Sequence, residues 1–239
     1  GLSGTLSGNA LVCAAGVALQ QGRSAAGLPE LETVLADTQA VELEGVRAVA
    51  LMERGDERSR RGDLLQAQAD LLPACATLAR LQWAADSRYC MERVAAHYGR
   101  VGDFDLALKY YRELLAMART RGARHDQGIT LYNIARLYMH RSDPAVALDW
   151  FRQARAIEVA KRDALGIAYN DAGIGEALLE LGRPAAALPN LRRAEPVFTR
   201  LGDSQVLHTR VGIAAALART GQPVEALTLL NRTEPEVRS

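Results

Sequence analysis

Two segments forty residues apart decide the fold: AAHYGRVGDFDLA at residues 95–107 and ARLYMHRSDPAVA at residues 135–147. Each begins with alanine, has a tyrosine three residues later and a Gly-Asp or Ser-Asp turn pair seven residues later, and ends on a second alanine. Small residues on both sides of a tight turn allow two helices to approach closely, as in an antiparallel helical hairpin. Each segment therefore predicts one helix–turn–helix unit.

The same spacing extends along the whole chain in both directions. Turn residues recur at intervals of 39 or 40, which predicts six units. The predicted turns are at Gly22, Gly62, Gly102, Ser142, Gly182 and Gly221. Small residues stand seven positions before them (Ala15, Gly55, Ala95, Ala135, Gly175, Ala214) and five after them (Gly27, Ala67, Ala107, Ala147, Ala187, Ala226). Large apolar residues stand nine positions after them, at Leu31, Leu71, Tyr111, Phe151, Leu191 and Leu230. A period of this length is the signature of a repeat architecture.

Helix boundary signals agree with this period. Pro144, Pro184 and Pro223 follow their turns directly, where a missing N–H has no cost, and Asp103 and Asp143 can cap second helices. In the third unit we predict a first helix over 89–101 and a second over 104 to about 119, and we predict linkers over 121–127, 161–166 and 201–204. No alternating strand pattern competes, so an all-α fold is predicted. The predicted domain is one array over 1–239, with units at about 8–47, 48–87, 88–127, 128–167, 168–206 and 207–239.

These features resemble the tetratricopeptide repeat (TPR) family over nearly the whole chain. The small residues, Tyr98 and Tyr138 before their turns, and the Gly-Asp turn all match the family pattern. The units are six residues longer than the 34-residue form, like the 40-residue subclass of bacterial signalling proteins, transcription regulators and some peptide receptors. The resemblance implies a right-handed α-solenoid whose first helices line a concave groove that binds a protein or peptide. Arg54 and Arg58 depart from the pattern, because apolar or tyrosine side chains occupy their positions in later units.

Composition and missing motifs exclude other classes. A formal net charge of +1 argues against a nucleic-acid surface, and no apolar stretch reaches the length of a membrane span. Phosphate-loop, zinc-protease and Cys-x-x-Cys motifs are missing from the sequence, so we predict no enzyme, no cofactor and no metal site. The pair Gly173 and Gly175 is interpreted as helix packing. Cys13, Cys75 and Cys90 are expected to be buried free thiols of a cytoplasmic protein. The chain ends suggest a fragment of a longer protein.

The residues at groove-facing positions of the repeat include tyrosines, an asparagine and arginines, and aromatic residues and arginine are enriched at interfaces. The resemblance implies that Asn133 holds a ligand's backbone amide, and arginines could bind carboxylates. The predicted partner-binding residues are Tyr89, Arg93, Arg100, Tyr132, Asn133, Arg136, His140 and Tyr169. The alternative interpretation of this set is a solvated helix face with incidental charges.

Two functions remain open at the level of sequence. The first is a peptide- or protein-binding sensory module of a bacterial signalling protein, attached to a diguanylate cyclase or a DNA-binding output domain. The second is a free-standing assembly scaffold that homo-oligomerises, for example as a homodimer, through its end repeats. The neighbouring parent sequence would discriminate between them.

Overall fold

A computed structural model describes residues 29, 31–33, 35–36 and 44–237 of the chain. Within these ranges every regular element is α-helical and no strand occurs. The helices that follow residue 43 are α1 (Glu44–Arg61), α2 (Leu64–Arg80), α3 (Ala84–Val101), α4 (Phe104–Thr120), α5 (Arg124–His140), α6 (Pro144–Lys161), α7 (Ala164–Glu180), α8 (Pro184–Leu201), α9 (Gln205–Arg219) and α10 (Pro223–Val237). They form five of the six predicted pairs, which confirms the all-α helix-pair fold. The predicted turn at Gly22 lies outside the described residues, as do Ala15 and Gly27.

The turns predicted within the pairs adopt the left-handed conformation. The backbone φ is positive at Gly62, Gly102, Ser142, Gly182 and Gly221, with values between 61° and 91°. At Gly102 the amide of Asp103 donates to the carbonyl of Tyr98 at 2.9 Å, which closes the end of α3. Glycine adopts this φ without a steric penalty, whereas Ser142 takes it at some cost. The Asp103 and Asp143 carboxylates then accept amide hydrogen bonds from Leu106 and Val146, as expected for caps.

The small residues lie where the two helices of a pair meet. All eight alanines at these positions in the described pairs are 0–5% exposed. Gly55 faces the second helix of its pair so closely that an added Cβ would lie 2.8 Å from Leu71, and Gly175 faces Leu191 at 2.5 Å. Gly173 packs in the same way against the ring of Phe151. The interpretation of Gly173 and Gly175 as packing residues is therefore confirmed.

The chain forms two compact units, residues 1–114 and residues 115–239. In the first unit, Met52, Leu71, Leu78 and Val94 belong to a buried cluster between α1, α2 and α3. In the second unit, the core runs through α5 to α10 and contains large side chains at the predicted positions, including Phe151 and Leu191.

The two arginines that depart from the family pattern bind a buried carboxylate. Arg54 donates from Nε and Nη2 to Asp70 at 2.9 and 2.8 Å, and Arg58 donates from Nη1 to the same carboxylate at 2.8 Å. Asp70 is 5% exposed. Thus α1 and α2 are joined by an ion-pair network at positions where later pairs use apolar contacts.

Several expectations need correction. The first helix of the third pair begins at Ala84 instead of residue 89, and the linkers before α5 and α7 are shorter than predicted because those helices begin at Arg124 and Ala164. Cys75 and Cys90 are not free thiols. They form a disulfide between α2 and α3, with their Cα atoms 5.5 Å apart. This bond removes the argument from cysteine for a reducing compartment, because disulfides persist mainly in oxidising ones. None of the helices described is both long and apolar enough to cross a bilayer.

Candidate functional site

A pocket of about 260 Å³ opens in the second unit between α5, α6 and α7. Three of the predicted partner-binding residues, Tyr132, Asn133 and Tyr169, lie in its wall. The remaining lining residues are Gly128, Ile129, Glu158, Gly166 and Asn170. The first helices of neighbouring pairs therefore bring these predicted residues together, as the repeat spacing requires.

The polar part of the pocket is built around the carboxylate of Glu158, which is 4% exposed. Two glycines make room for it, since a Cβ added to Gly128 would lie 2.1 Å from its Oε1 and one added to Gly166 would lie 2.7 Å from its Oε2. Lys161 donates to Oε2 at 2.6 Å. Burial lowers the pKa of Lys161, but this hydrogen bond and the charges of Glu158 and Asp163 outweigh burial and raise it.

Asn170 supplies a second buried polar group and is 2% exposed. Its Nδ2 donates to the carbonyl of Gly166 at 2.8 Å, while its Oδ1 has no hydrogen-bond partner among the described residues. A buried acceptor left without a donor costs about 1–3 kcal/mol. This side chain therefore stands ready to accept a hydrogen bond.

The two tyrosines of the pocket are held in place by other rings. The ring centroids of Tyr132 and Tyr169 are 6.0 Å apart in an edge-to-face arrangement, and Tyr132 also packs against Phe151. The Tyr169 hydroxyl donates to Asp203 at 2.7 Å. Burial raises the pKa of both phenols, and the Asp203 hydrogen bond adds to the effect at Tyr169. Both side chains are thus neutral, rigid walls.

The other predicted residues of the second unit lie further along α5. Arg136 pairs with Glu176 of α7, with Nη1 and Oε2 3.0 Å apart and both side chains partly exposed. His140 is exposed in the last turn of α5. Arg136 therefore already has an acidic partner within the protein, which the sequence analysis did not anticipate.

In the first unit, Tyr89, Arg93 and Arg100 are associated with a buried carboxylate. Arg93 lies over the Tyr89 ring, 4.2 Å from its centroid, and its Nη1 is 3.2 Å from Asp56. Arg100 is 3.7 Å from the same carboxylate. Asp56 is 1% exposed. The two arginines are therefore held by a carboxylate that the protein itself supplies.

A buried histidine belongs to the same cluster. Nδ1 of His97 lies 3.0 Å from the Ser59 hydroxyl, and Arg100 donates to that hydroxyl at 3.1 Å. Burial, together with the positive charge of Arg100, lowers the pKa of His97. The neighbouring Glu53 has a raised pKa because burial and the charge of Asp56 outweigh the effect of Arg93.

A second pocket, of about 310 Å³, lies at the linker between α8 and α9. Its charged side chains already have partners, since Asp203 accepts from Tyr169 and Arg210 donates to Glu195 at 2.8 Å. Sequence reasoning did not find this pocket. It offers a ligand fewer open polar groups than the first.

Sequence reasoning also missed Glu158, Asn170 and the two glycines of the first pocket. The one signal in the sequence was the pair Gly128 and Gly166, which stand near the start of first helices, where glycine lowers helix stability without an evident local reason. Over the residues that the structure covers, no group of three or more His, Cys, Asp or Glu side chains could hold a metal ion.

Helix pairs with small residues at each joint define this chain as an α-helical-hairpin repeat protein. Residues 87–157 match the tetratricopeptide repeat family. The helix pairs described on both sides of residues 87–157 have the same architecture, so the chain is similar to tetratricopeptide repeat proteins beyond the matched residues. Among curated proteins, no sequence is significantly similar to it.

Solved structures share the fold at low sequence identity. BtubC (BKLC) from P. vanneervenii is 16% identical with a TM-score of 0.68, over 87% of this chain and 85% of that one. A Rap protein complexed with competence and sporulation factor is 14% identical with a TM-score of 0.73, over 88% of this chain and 58% of its own. NprR in complex with its cognate peptide NprX is 14% identical with a TM-score of 0.72, over 95% and 66%. The chain thus spans less than two thirds of the Rap and NprR chains.

Proposed function

We propose that this chain is a non-catalytic module that binds a peptide segment of a partner along the first helices of its second unit. The observation that carries the proposal is the pocket in which Tyr132, Asn133 and Tyr169 meet. Rigid aromatic walls give a ligand large contact area with little loss of side-chain entropy, and an asparagine amide can both donate and accept.

The role we propose for this binding is regulatory. Two structures with the same fold are complexes, one of a Rap protein with competence and sporulation factor and one of NprR with its cognate peptide NprX. By analogy, peptide binding would control an output domain of a bacterial signalling protein, either a diguanylate cyclase or a DNA-binding domain. No binding of nucleic acid or membrane by this segment is part of the proposal.

The ligand should be polar as well as apolar. Arg136 and Glu176 present one charge of each sign beside the pocket, and both remain partly accessible. A carboxylate of the ligand can replace Glu176 as the partner of Arg136, because an exposed ion pair contributes only about 0–1 kcal/mol and is readily exchanged. We therefore expect the ligand to contain an acidic residue that binds Arg136.

The proposal is tested by selecting phage-displayed random peptides on the immobilised chain and measuring the best synthetic peptide by calorimetry. We expect Asn133→Ala to weaken binding about fivefold to tenfold, as for loss of one or two hydrogen bonds. The matched control is Asn190→Ala, at a partly exposed site on α8. Failure to select any peptide, or equal affinities for the two variants, would place the binding surface elsewhere.

The scaffold alternative rests on a different observation. Val224 and Leu227 of α10 are 76% and 61% exposed, an unusual share for large apolar side chains on one helix face. A second copy of the chain packed on this face would give a homodimer. Light scattering of the wild type and of Leu227→Asp tests this alternative: a dimer that the substitution dissociates favours it, and a monomeric wild type excludes it.

A further inference from the structure

The pocket between α5, α6 and α7 holds two oxygen acceptors, the Glu158 carboxylate and the Asn170 amide oxygen. Lys161 donates to Oε2 of Glu158 at 2.6 Å, and this carboxylate lies in the pocket wall. Oδ1 of Asn170 has no hydrogen-bond partner among the described residues. Because both side chains are more than nine-tenths buried, a ligand that brings N–H donors supplies hydrogen bonds that the protein's own groups leave unmade at Asn170.

The charge balance around these acceptors favours a positively charged donor over a neutral one. Lys161 lies between two carboxylates, 2.6 Å from Glu158 and 3.6 Å from Asp163. His125 Nδ1 lies 3.1 Å from the same ammonium. One lysine thus offsets two carboxylates, and the cluster keeps an excess negative charge in a partly enclosed site, where charges interact more strongly than in water.

The size and walls of the pocket limit the ligand to a single group. A volume of about 260 Å³ is below the range of about 300–1,000 Å³ that is usual for whole small-molecule ligands. Tyr132, Tyr169 and Ile129 provide apolar contact around the polar floor. These walls suit an alkyl stem that ends in a charged nitrogen, and tyrosine faces also attract cations.

We propose that this pocket binds a cationic nitrogen of the partner peptide, carried by a lysine or arginine side chain or by the peptide's N-terminal ammonium. The Glu158 carboxylate and Asn170 Oδ1 accept its hydrogen bonds, and Gly128 and Gly166 leave the room that the carboxylate occupies. This inference rests on the proposed function, since it names what the peptide must carry. Because Arg136, further along α5, is proposed to bind an acidic group, the inference predicts a ligand in which a positive group and an acidic group lie close together.

The test uses small probes, so the partner itself need not be identified. Isotopically labelled protein is titrated with N-acetyl-lysine amide, N-acetyl-arginine amide or alanine amide, and the Gly128 and Gly166 amide signals are followed by NMR. The three probes represent the three sources of the charge. N-acetyl-norleucine amide, which has the alkyl stem without the charge, is the control. We expect at least one cationic probe to shift both glycine signals saturably, and norleucine to do so at least about tenfold more weakly.

Variants then assign the effect to the carboxylate. Glu158→Gln should weaken the cationic probe about tenfold or more, whereas Glu113→Gln, at an exposed glutamate of α4, should leave it unchanged. In Gly128→Ala the added methyl displaces Oε1, so the shift at Gly166 should also weaken. No saturable shift with any cationic probe, or an equal shift with norleucine, overturns the inference.

The two proposals can fail separately. If selected peptides bind in the calorimeter but no cationic probe shifts the glycine signals, peptide binding stands and the cation pocket is wrong. If a cationic probe binds in the pocket but no peptide can be selected, the cation pocket stands and peptide binding is wrong.

Discussion

Arg155 of α6 and Asp171 of α7 form a forked ion pair, with Nε 2.7 Å from Oδ1 and Nη2 3.4 Å from Oδ2. The Asp171 carboxylate is 1% exposed and also receives Arg193 from α8, at 2.9 and 3.1 Å. A single buried charge therefore joins three successive helices. The hydrogen bonds to Asp171 raise the pKa of Arg193 above its ordinary value, in spite of partial burial.

Replacing this carboxylate should destabilise the second unit. We expect Asp171→Ala to lower the free energy of unfolding by about 1.5–3 kcal/mol, less than the ~3–5 kcal/mol of a fully buried pair. The cost is reduced because the side chains of Arg155 and Arg193 are 33% and 50% exposed and can be rehydrated. Urea unfolding measures the change. Asp149→Ala removes an exposed carboxylate paired with Arg152 and should cost less than about 0.5 kcal/mol. Equal costs would contradict a structural role for Asp171.

The joint between α5 and α6 should not accept a larger side chain at Ala147. Ala147 is 0% exposed and lies at the predicted contact between the helices of the pair. Ala147→Leu should overpack this contact and cost about 1–3 kcal/mol. Thermal unfolding followed by circular dichroism measures the change. The control, Ala156→Leu, is a more accessible position on the same helix and should be nearly neutral. No loss of stability in Ala147→Leu would show that the helix register is wrong.

Cys75 and Cys90 should resist alkylation in the unfolded, unreduced protein. Peptide mapping should recover them joined, and both should react after reduction. The bond closes a loop of 15 residues, which restricts the unfolded chain. We therefore expect Cys75→Ser to lower the free energy of unfolding by about 3 kcal/mol. Reduced wild-type protein is the control and should match Cys75→Ser. Full alkylation without reductant would contradict the bond.

Acid should weaken the first unit through His97. Its folded-state pKa lies below the ordinary value near 6.5, so between these two values the unfolded chain binds the additional proton. The stability that depends on neutral His97 is complete above about pH 6.5 and declines as the pH falls towards the folded-state pKa. We expect His97→Gln to show a smaller loss of melting temperature than the wild type between about pH 6.5 and 5. His208→Gln, at an exposed site, should leave the dependence of melting temperature on pH as in the wild type. If His97→Gln also leaves this dependence unchanged, His97 is not its cause.

Charge reversal at Arg136 should weaken binding of the selected peptide without unfolding the array. The change in affinity should exceed that of a rim substitution because Arg136 lies beside the pocket. The double variant Arg136→Glu, Glu176→Arg restores the internal ion pair with its direction reversed. If calorimetry shows that the double variant also binds weakly, the ligand senses the position of the positive charge. Recovery of wild-type affinity would mean that only the internal pair matters.

The helices, their turns and the faces that they pack follow from the amino-acid sequence. These features are local. Gly102 ends a helix because glycine adopts a positive φ, and Pro144 begins one because the first helical position needs no N–H donor. Ala147 lets the two helices of its pair approach closely because its side chain is small. The same small residues recur in every unit, so the predicted contacts between the two helices of a pair were correct across the described pairs. The groove tyrosines Tyr132 and Tyr169 came together for the same reason.

The pairing of charges and the position of the pocket depend on how the helices pack in three dimensions. Glu158, Gly128 and Gly166 lie on three helices, and nothing in their spacing shows that the carboxylate fills the room left by the glycines. Likewise, the Asp171 network and the disulfide between Cys75 and Cys90 form only because side chains of neighbouring helices point towards each other. Repeat spacing fixes the backbone positions of helices, but rotamers and burial settle which side chain meets which.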